Sequence, residues 1–181
     1  MSENLNEIYE RLCNTPSDIN EHLPTLAKYA SECNHITEMG VRYIVSTYAL
    51  LMGEPKKMIS YDIHLCNWEP VRDLVKDITD FSFAVGNTLE IEIEPTELLF
   101  IDTLHNYAQL KKELELHADK VSKYIIFHDT TSFETIGESY SGKPEGGIWP
   151  AIQEFVKTNP QWIIKERFTN NNGLTIIKKA S

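Results

Sequence analysis

Residues 162–179 read WIIKERFTNNNGLTIIKK. Two runs rich in β-branched and aromatic residues, 162–168 and 174–179, flank the five residues TNNNG. Five residues cannot hold a crossover helix, and Gly173 supplies the positive φ of a tight turn, so the two runs read as an antiparallel hairpin. Upstream the pattern differs. From His35 onward, short apolar runs alternate with longer amphipathic ones, as βα units of a parallel sheet do. The runs HITEM (35–39), KMISYDI (57–63), FSFAV (81–85), LLFID (98–102) and KYIIFHD (123–129) predict strands, and residues 45–52, 69–78, 107–121 and 148–158 predict the intervening helices. The expected fold is therefore α/β and doubly wound: a mostly parallel seven-stranded sheet that ends in an antiparallel hairpin. Two further helical patterns, about residues 5–12 and 23–31, form an N-terminal helical cap over residues 1–34, ahead of a sheet domain of residues 35–181 in one compact unit.

The 181 residues suffice to bury a core without disulfides. A net charge of -10 repels phosphate backbones and anionic lipid, so nucleic acid and membranes are poor partners, and a small neutral or cationic molecule suits the chain better. Cys13, Cys33 and Cys66 are odd in number and widely spaced, which predicts reduced thiols and a cytoplasmic setting. The acidic start MSENLNEIYERL lacks the features of a signal peptide, and no apolar run reaches membrane-spanning length. Folds of this kind often pair through their edges, so a homo-oligomer is compatible with the sequence.

In open α/β sheets, ligands bind outside the carboxyl ends of the strands, where strand order reverses. The first strand ends in EMGVRYIVST (38–47), with Gly40 in the turn; the second ends at Asp62, where an acid can hold ribose hydroxyls. Taken alone, the pair reads equally as a turn glycine and a surface aspartate. A dinucleotide would need G-x-G-x-x-G, whereas Arg42, Tyr43 and Ile44 crowd this turn; a cofactor without phosphates tolerates that crowding better. Gly86 and Asn87 follow the third strand, where an amide can meet an adenine edge or simply form a turn.

The fourth and fifth strands end in FIDTLH and FHDTT. Side by side, they bring Asp102 and Asp129 to one edge with backbones on the order of 5 Å apart. Two such carboxylates repel unless a cation lies between them, and Mg²⁺ with its oxygen ligands is the expected ion. His105, at the rim, has the pKa of a general base. Strand alternation predicts that His128 turns away from Asp129. The blander readings make the aspartates helix-start residues and His105 a cap. The glycine-rich loop SYSGKPEGGIWP (139–150) reads either as a lid that brings Trp149 onto substrate or as a strap with Trp149 as anchor. The three asparagines before Gly173 read as a polar turn.

Over about residues 36–178 these motifs resemble the small class I S-adenosylmethionine-dependent methyltransferases, near the cephalosporin hydroxylase-like and macrocin-type sugar O-methyltransferases. EMGVRYIVST resembles the first motif, YDIH the ribose acid, LLFIDTLHNY the fourth-strand motif and YIIFHDT the fifth. The resemblance implies a Rossmann-like sheet and S-adenosyl-L-methionine as cofactor. It assigns Glu38 and Gly40 to the methionine portion, with Ser46 and Thr47 of the same motif in the binding set. It assigns Asp62 to the ribose, Gly86 and Asn87 to the adenine side, Asp102 to both cofactor and metal, Asp129 to metal, and His105 with Asp102 to catalysis. E-x-G-x-G-x-G is reduced to one glycine, with Arg42 and Ile44 in the other places. The implied activity is metal-assisted methylation of a hydroxyl on a small molecule or sugar. A nucleotide-dependent oxidoreductase and a non-catalytic cofactor-binding domain of a glycan-modifying assembly are the competing readings.

Overall fold

The computed structural model describes residues 3–139 and 142–180. Strand β4, Thr96–Ile101, shows how the core is divided. Successive side chains in a strand point to opposite faces. Leu98 and Phe100 accordingly join one apolar cluster and Leu99 and Ile101 another, all fully or nearly fully buried. A strand covered on both faces loses the alternation of a half-exposed one, hence the unbroken LLFI.

Five strands, β1 (His35–Met39), β2 (Lys57–Asp62), β3 (Asp80–Val85), β4 and β5 (Val121–His128), run parallel; β8 (Trp162–Phe168) and β9 (Leu174–Lys179) complete the sheet. Ile136–Gly137 (β6) and Glu145–Gly146 (β7) form a separate two-stranded ladder. The sheet order is β3-β2-β1-β4-β5-β9-β8, so strand order reverses between β1 and β4. The predicted hairpin is present. Strand β9 lies between β5 and β8 and runs antiparallel to both.

Helices α1 (Leu5–Asn14), α2 (Leu23–Ala30), α3 (Val45–Leu51) and α4 (Glu69–Val75) lie on one face of the sheet, and α5 (Tyr107–His117) and α6 (Ile148–Thr158) on the other. Helix α1 starts in a capping box, Asn4 with Glu7, and α2 carries Pro24 in its first turn, where an amide proton is dispensable. Leu23, Leu26 and Tyr29 of α2 share one core with Ile36 and Phe100 of the sheet, so the cap and the sheet pack as one body. Helix α5 stops at His117 and α4 at Val75, each a few residues short of its expected end, and Val121 is already buried in β5. No helix among the described residues is long and apolar enough to cross a membrane.

The hairpin turn does more than reverse the chain. Asn171, Asn172 and Gly173 are all left-handed, with φ of 42°, 69° and 94°. The Asn171 side chain accepts from the amide of Glu21 (3.0 Å) and donates to the carbonyl of Ser17 (2.7 Å), and His22 Nε2 contacts the Asn170 carbonyl (3.0 Å). A Cβ at Gly173 would overlap Thr131. Gly173→Ala combines that overlap with a disfavoured φ and is expected to lower stability by roughly 2 kcal/mol, read as a drop in the urea midpoint at unchanged slope.

Candidate functional site

Pairing of Ile101 with Phe127 sets the register in which β4 and β5 end, and Asp102 and Asp129 leave the sheet there. The Asp102 amide donates to the Met39 carbonyl (2.8 Å), which ties this end to β1 across the point where strand order reverses. One residue beyond β5 the backbone turns left-handed, with φ of 59° at Asp129. That twist corrects the expectation for His128. Alternation holds only while the chain stays extended; past His128 it does not, and His128 Nδ1 lies 3.5 Å from Asp102 Oδ1 and 3.4 Å from Asp129 Oδ2. One ligand atom each from Asp102, His128 and Asp129 fall within 4.8 Å of one another.

His105 completes the group. Its Nε2 is 3.0 Å from both Asp102 Oδ1 and Asp129 Oδ2, and its Nδ1 is 2.9 Å from Glu138 Oε2. The ring stacks on Phe133 with centroids 4.7 Å apart and planes 5° from parallel. Carboxylates face both nitrogens and can only accept, so the ring is an imidazolium. Burial opposes that charge, but the bonds to Asp102 and Asp129 outweigh it and push the pKa up to about 10. Burial likewise works against charge on Asp129, and the bond from His105 leads the contacts that overcome it and hold the carboxyl well below its usual range. Asn106 caps α5 by accepting from the Gln109 amide (2.9 Å), and Thr103 donates to buried Glu113 (2.8 Å), so the turn carrying Asp102 and His105 is fixed from beneath. Glu138 had no signal in the sequence. It reaches the site from a distant loop, whose base is pinned by the Glu138 amide on the His105 carbonyl (2.9 Å).

Three polar residues of the first motif lie buried beneath its turn. Glu38 is fully buried, with Oε1 accepting from Ser46 (2.6 Å) and Oε2 from Thr47 (2.8 Å) and Ser60 (2.6 Å). Glu38, Ser46 and Thr47 therefore present almost no surface to a ligand; they anchor the turn between β1 and α3 from below. In that turn Gly40, Arg42 and Ile44 have φ of 87°, 47° and 66°, a glycine-type path carried by two residues that have side chains. Gly40 is required by a neighbour, because a Cβ would overlap the Asp102 carbonyl oxygen.

Asp62 Oδ2 accepts from the amides of Val41 (2.8 Å) and Arg42 (3.0 Å) and Oδ1 from that of His64 (2.8 Å). Burial would raise its pKa, yet the amides of Arg42, His64 and Val41 prevail and keep it below the ordinary value. The Gly86 amide donates to the Asp62 carbonyl (2.8 Å), and the Asn87 side chain accepts from Leu89 N (3.0 Å) and donates to Glu90 (3.2 Å). Gly86 and Asn87 thus form a turn beside Asp62. Of the loop 139–150, Tyr140 and Ser141 lie outside the described residues. Trp149 packs against the α5–α6 core and the Arg167 guanidinium, 3.6 Å from its ring centroid, which makes it an anchor for α6. A cavity of about 440 Å³ between α5 and α6, bordered by Leu114, Phe155 and Trp162, contains none of these site residues.

Burial pushes the Glu38 pKa from 4.5 up to about 7 against its bonds from Ser46, Ser60 and Thr47. Between those values the native state holds a proton that the unfolded chain has released, so stability falls as pH rises. Thermal melts from pH 4.5 to 7.5 are expected to show Glu38→Gln losing a dependence worth roughly 3 kcal/mol that the parent protein retains.

No protein-family model and no curated protein matches the chain. Solved structures match in fold. The N-methyltransferase NodS from Bradyrhizobium japonicum, solved with S-adenosyl-L-homocysteine, superposes with a TM-score of 0.67 at 13% identity, over 99% of this chain and 100% of that one. An O-methyltransferase from Bacillus cereus, also with S-adenosylhomocysteine, gives 0.65 at 16% identity over 99% and 92%. A methyltransferase from Podospora anserina with the same ligand gives 0.63 at 14% over 100% and 89%. The chain is similar to these in architecture, and its sheet and helices follow the same Rossmann-like arrangement.

Proposed function

We propose that the chain is an S-adenosylmethionine-dependent methyltransferase that methylates a hydroxyl of a small molecule or sugar with the help of a divalent cation. The observation that carries this reading is the convergence of Asp102, Asp129 and His105 at the ends of β4 and β5, beside the point where strand order reverses, with Asp102 itself in contact with the Gly40 turn. The solved neighbours with S-adenosylhomocysteine support the cofactor class.

The residues fit such a cofactor. Asp62 uses three of about four acceptor positions on backbone amides and keeps one for a ribose hydroxyl. The left-handed turn at Gly40, Arg42 and Ile44 keeps the backbone path, and a cofactor without phosphates does not need the missing glycines. When bound, the cofactor supplies a methyl group on a positively charged sulfur, which an acidic cleft favours.

The cluster also fits a cation, because Asp129 Oδ1 and His128 Nδ1 are buried without hydrogen-bond partners. Asp102 and Asp129 would hold it, and when bound it supplies positive charge that lowers the pKa of a neighbouring hydroxyl. With the charge of Asp102 and Asp129 shared by a bound cation, His105 would be neutral and would take the hydroxyl proton at Nε2, while Glu138 keeps Nδ1 protonated and fixes the ring plane. The two carboxylates that hold His105 charged are also the cation ligands, so sharing their charge returns the ring toward its neutral form.

Titration calorimetry should show S-adenosylhomocysteine binding that Asp62→Ala removes. In a panel of sugars and phenols, His105→Gln is expected to lower kcat by about 10²–10⁴ with cofactor binding retained. Absence of binding at millimolar cofactor would end the methyltransferase reading.

A further inference from the structure

We infer that His128 is a metal ligand through Nδ1, and that the centre of Asp102, His128 and Asp129 selects a divalent transition ion such as Zn²⁺, Mn²⁺, Fe²⁺ or Co²⁺ over Mg²⁺. This deepens the cation part of the proposed function and names its occupant, but binding itself does not depend on methyl transfer. His128 is the last residue of β5 and is 2% exposed. Its Nε2 sits 3.1 Å from the carbonyl oxygen of Asp18. A carbonyl only accepts, so Nε2 carries the proton, and a neutral ring then has its lone pair on Nδ1. Nδ1 has no hydrogen-bond partner and faces the two carboxylates.

A proton shared with those carboxylates would draw the atoms to about 2.7–2.9 Å. The separations are 3.4 and 3.5 Å, too long for that and suited to donors arranged around an ion. His105, at 3.0 Å from the same oxygens, already fills the role of proton-bearing partner. Asp129 Oδ1 is the second buried atom left without a partner, in the same cluster. A backbone carbonyl on the far nitrogen is also what orients many metal-bound histidines, and the His22 ring, edge-on to His128 at 5.9 Å, restricts the ring further. The left-handed backbone at Asp129 turns that carboxylate to the side that His128 faces.

The donor set decides the ion. Mg²⁺ is held by oxygen and keeps its waters, whereas an imidazole nitrogen shifts preference toward first-row transition metals. The oxygen-only site expected from Asp102 and Asp129 therefore gives way to a mixed nitrogen and oxygen one.

The test uses metal-stripped full-length protein with neither cofactor nor acceptor, so its outcome is separate from that of the methyltransferase reading. Calorimetry should show Zn²⁺ and Co²⁺ binding tighter than Mg²⁺ by at least about tenfold, with Co²⁺ giving visible d–d absorption. His128→Glu should narrow that preference and change the Co²⁺ spectrum. Should that variant fail to fold, ¹⁵N-histidine spectra of the parent protein decide: Zn²⁺ should shift Nδ1 of His128 and leave Nε2 protonated. Equal affinity for Mg²⁺ and Co²⁺, no binding of any of these ions, or an unmoved His128 Nδ1 resonance overturns the assignment.

Discussion

Two carboxylates at the ends of neighbouring parallel strands cannot both stay charged unless positive charge lies between them. Asp102 and Asp129 are forced into that position by the register of β4 with β5, and much of the surrounding structure answers the resulting repulsion. His105 supplies the positive charge, at 3.0 Å from each. Its ring would be free to turn away were it not held by Glu138 on one side and by Phe133 along its face. Asn106, capping α5 in the next position, fixes the backbone that delivers it. A strand end, a helix cap and a loop carboxylate thus serve one electrostatic requirement.

The cluster is also mechanically joined to the turn that follows β1. Gly40 and Asp102 are in backbone contact so close that no side chain fits between them, and the Asp102 amide bonds the Met39 carbonyl. Beneath that contact, Glu38 gathers the hydroxyls of Ser46, Thr47 and Ser60. A fully buried carboxyl is costly, and three donors offset the cost only while β1, α3 and β2 keep their places. Any ligand held at Asp62 and the Gly40 turn is therefore set at a fixed distance from Asp102, which is what in-line group transfer requires of a scaffold.

Periodicity made the sheet legible. LLFI and YIIF could only be strands covered on both faces, and TNNNG could only be a turn, so strand types and the closing hairpin were readable residue by residue. Asp102 and His105 were readable for a related reason: polar groups directly after a buried run mark where the sheet stops. What could not be read depended on contacts far apart in sequence or on backbone signs. Glu138 meets His105 across 33 positions and Asp18 meets His128 across 110, and neither pairing leaves a local pattern. The alternation rule failed at His128 because the left-handed turn at Asp129 lies one residue beyond where the rule applies. The resemblance assigns Glu38 to the cofactor; its burial beneath three hydroxyl donors shows that it also supports the turn.

The N-terminal segment gains a function from the same geometry. Helices α1 and α2 bury apolar surface against the sheet, but the link between them does something more specific. Residues 17–22 are stitched to the asparagines of the β8–β9 turn through Ser17, Glu21 and His22, and that places the Asp18 carbonyl over His128. The hairpin turn, itself pressed on Thr131 at Gly173, is thus the base on which the link rests. A single carbonyl oxygen then determines which nitrogen of His128 is protonated, and so which faces the two aspartates. The polar turn at one end of the chain and the cap at the other meet behind the site, and their contact fixes the chemistry of a residue that belongs to neither.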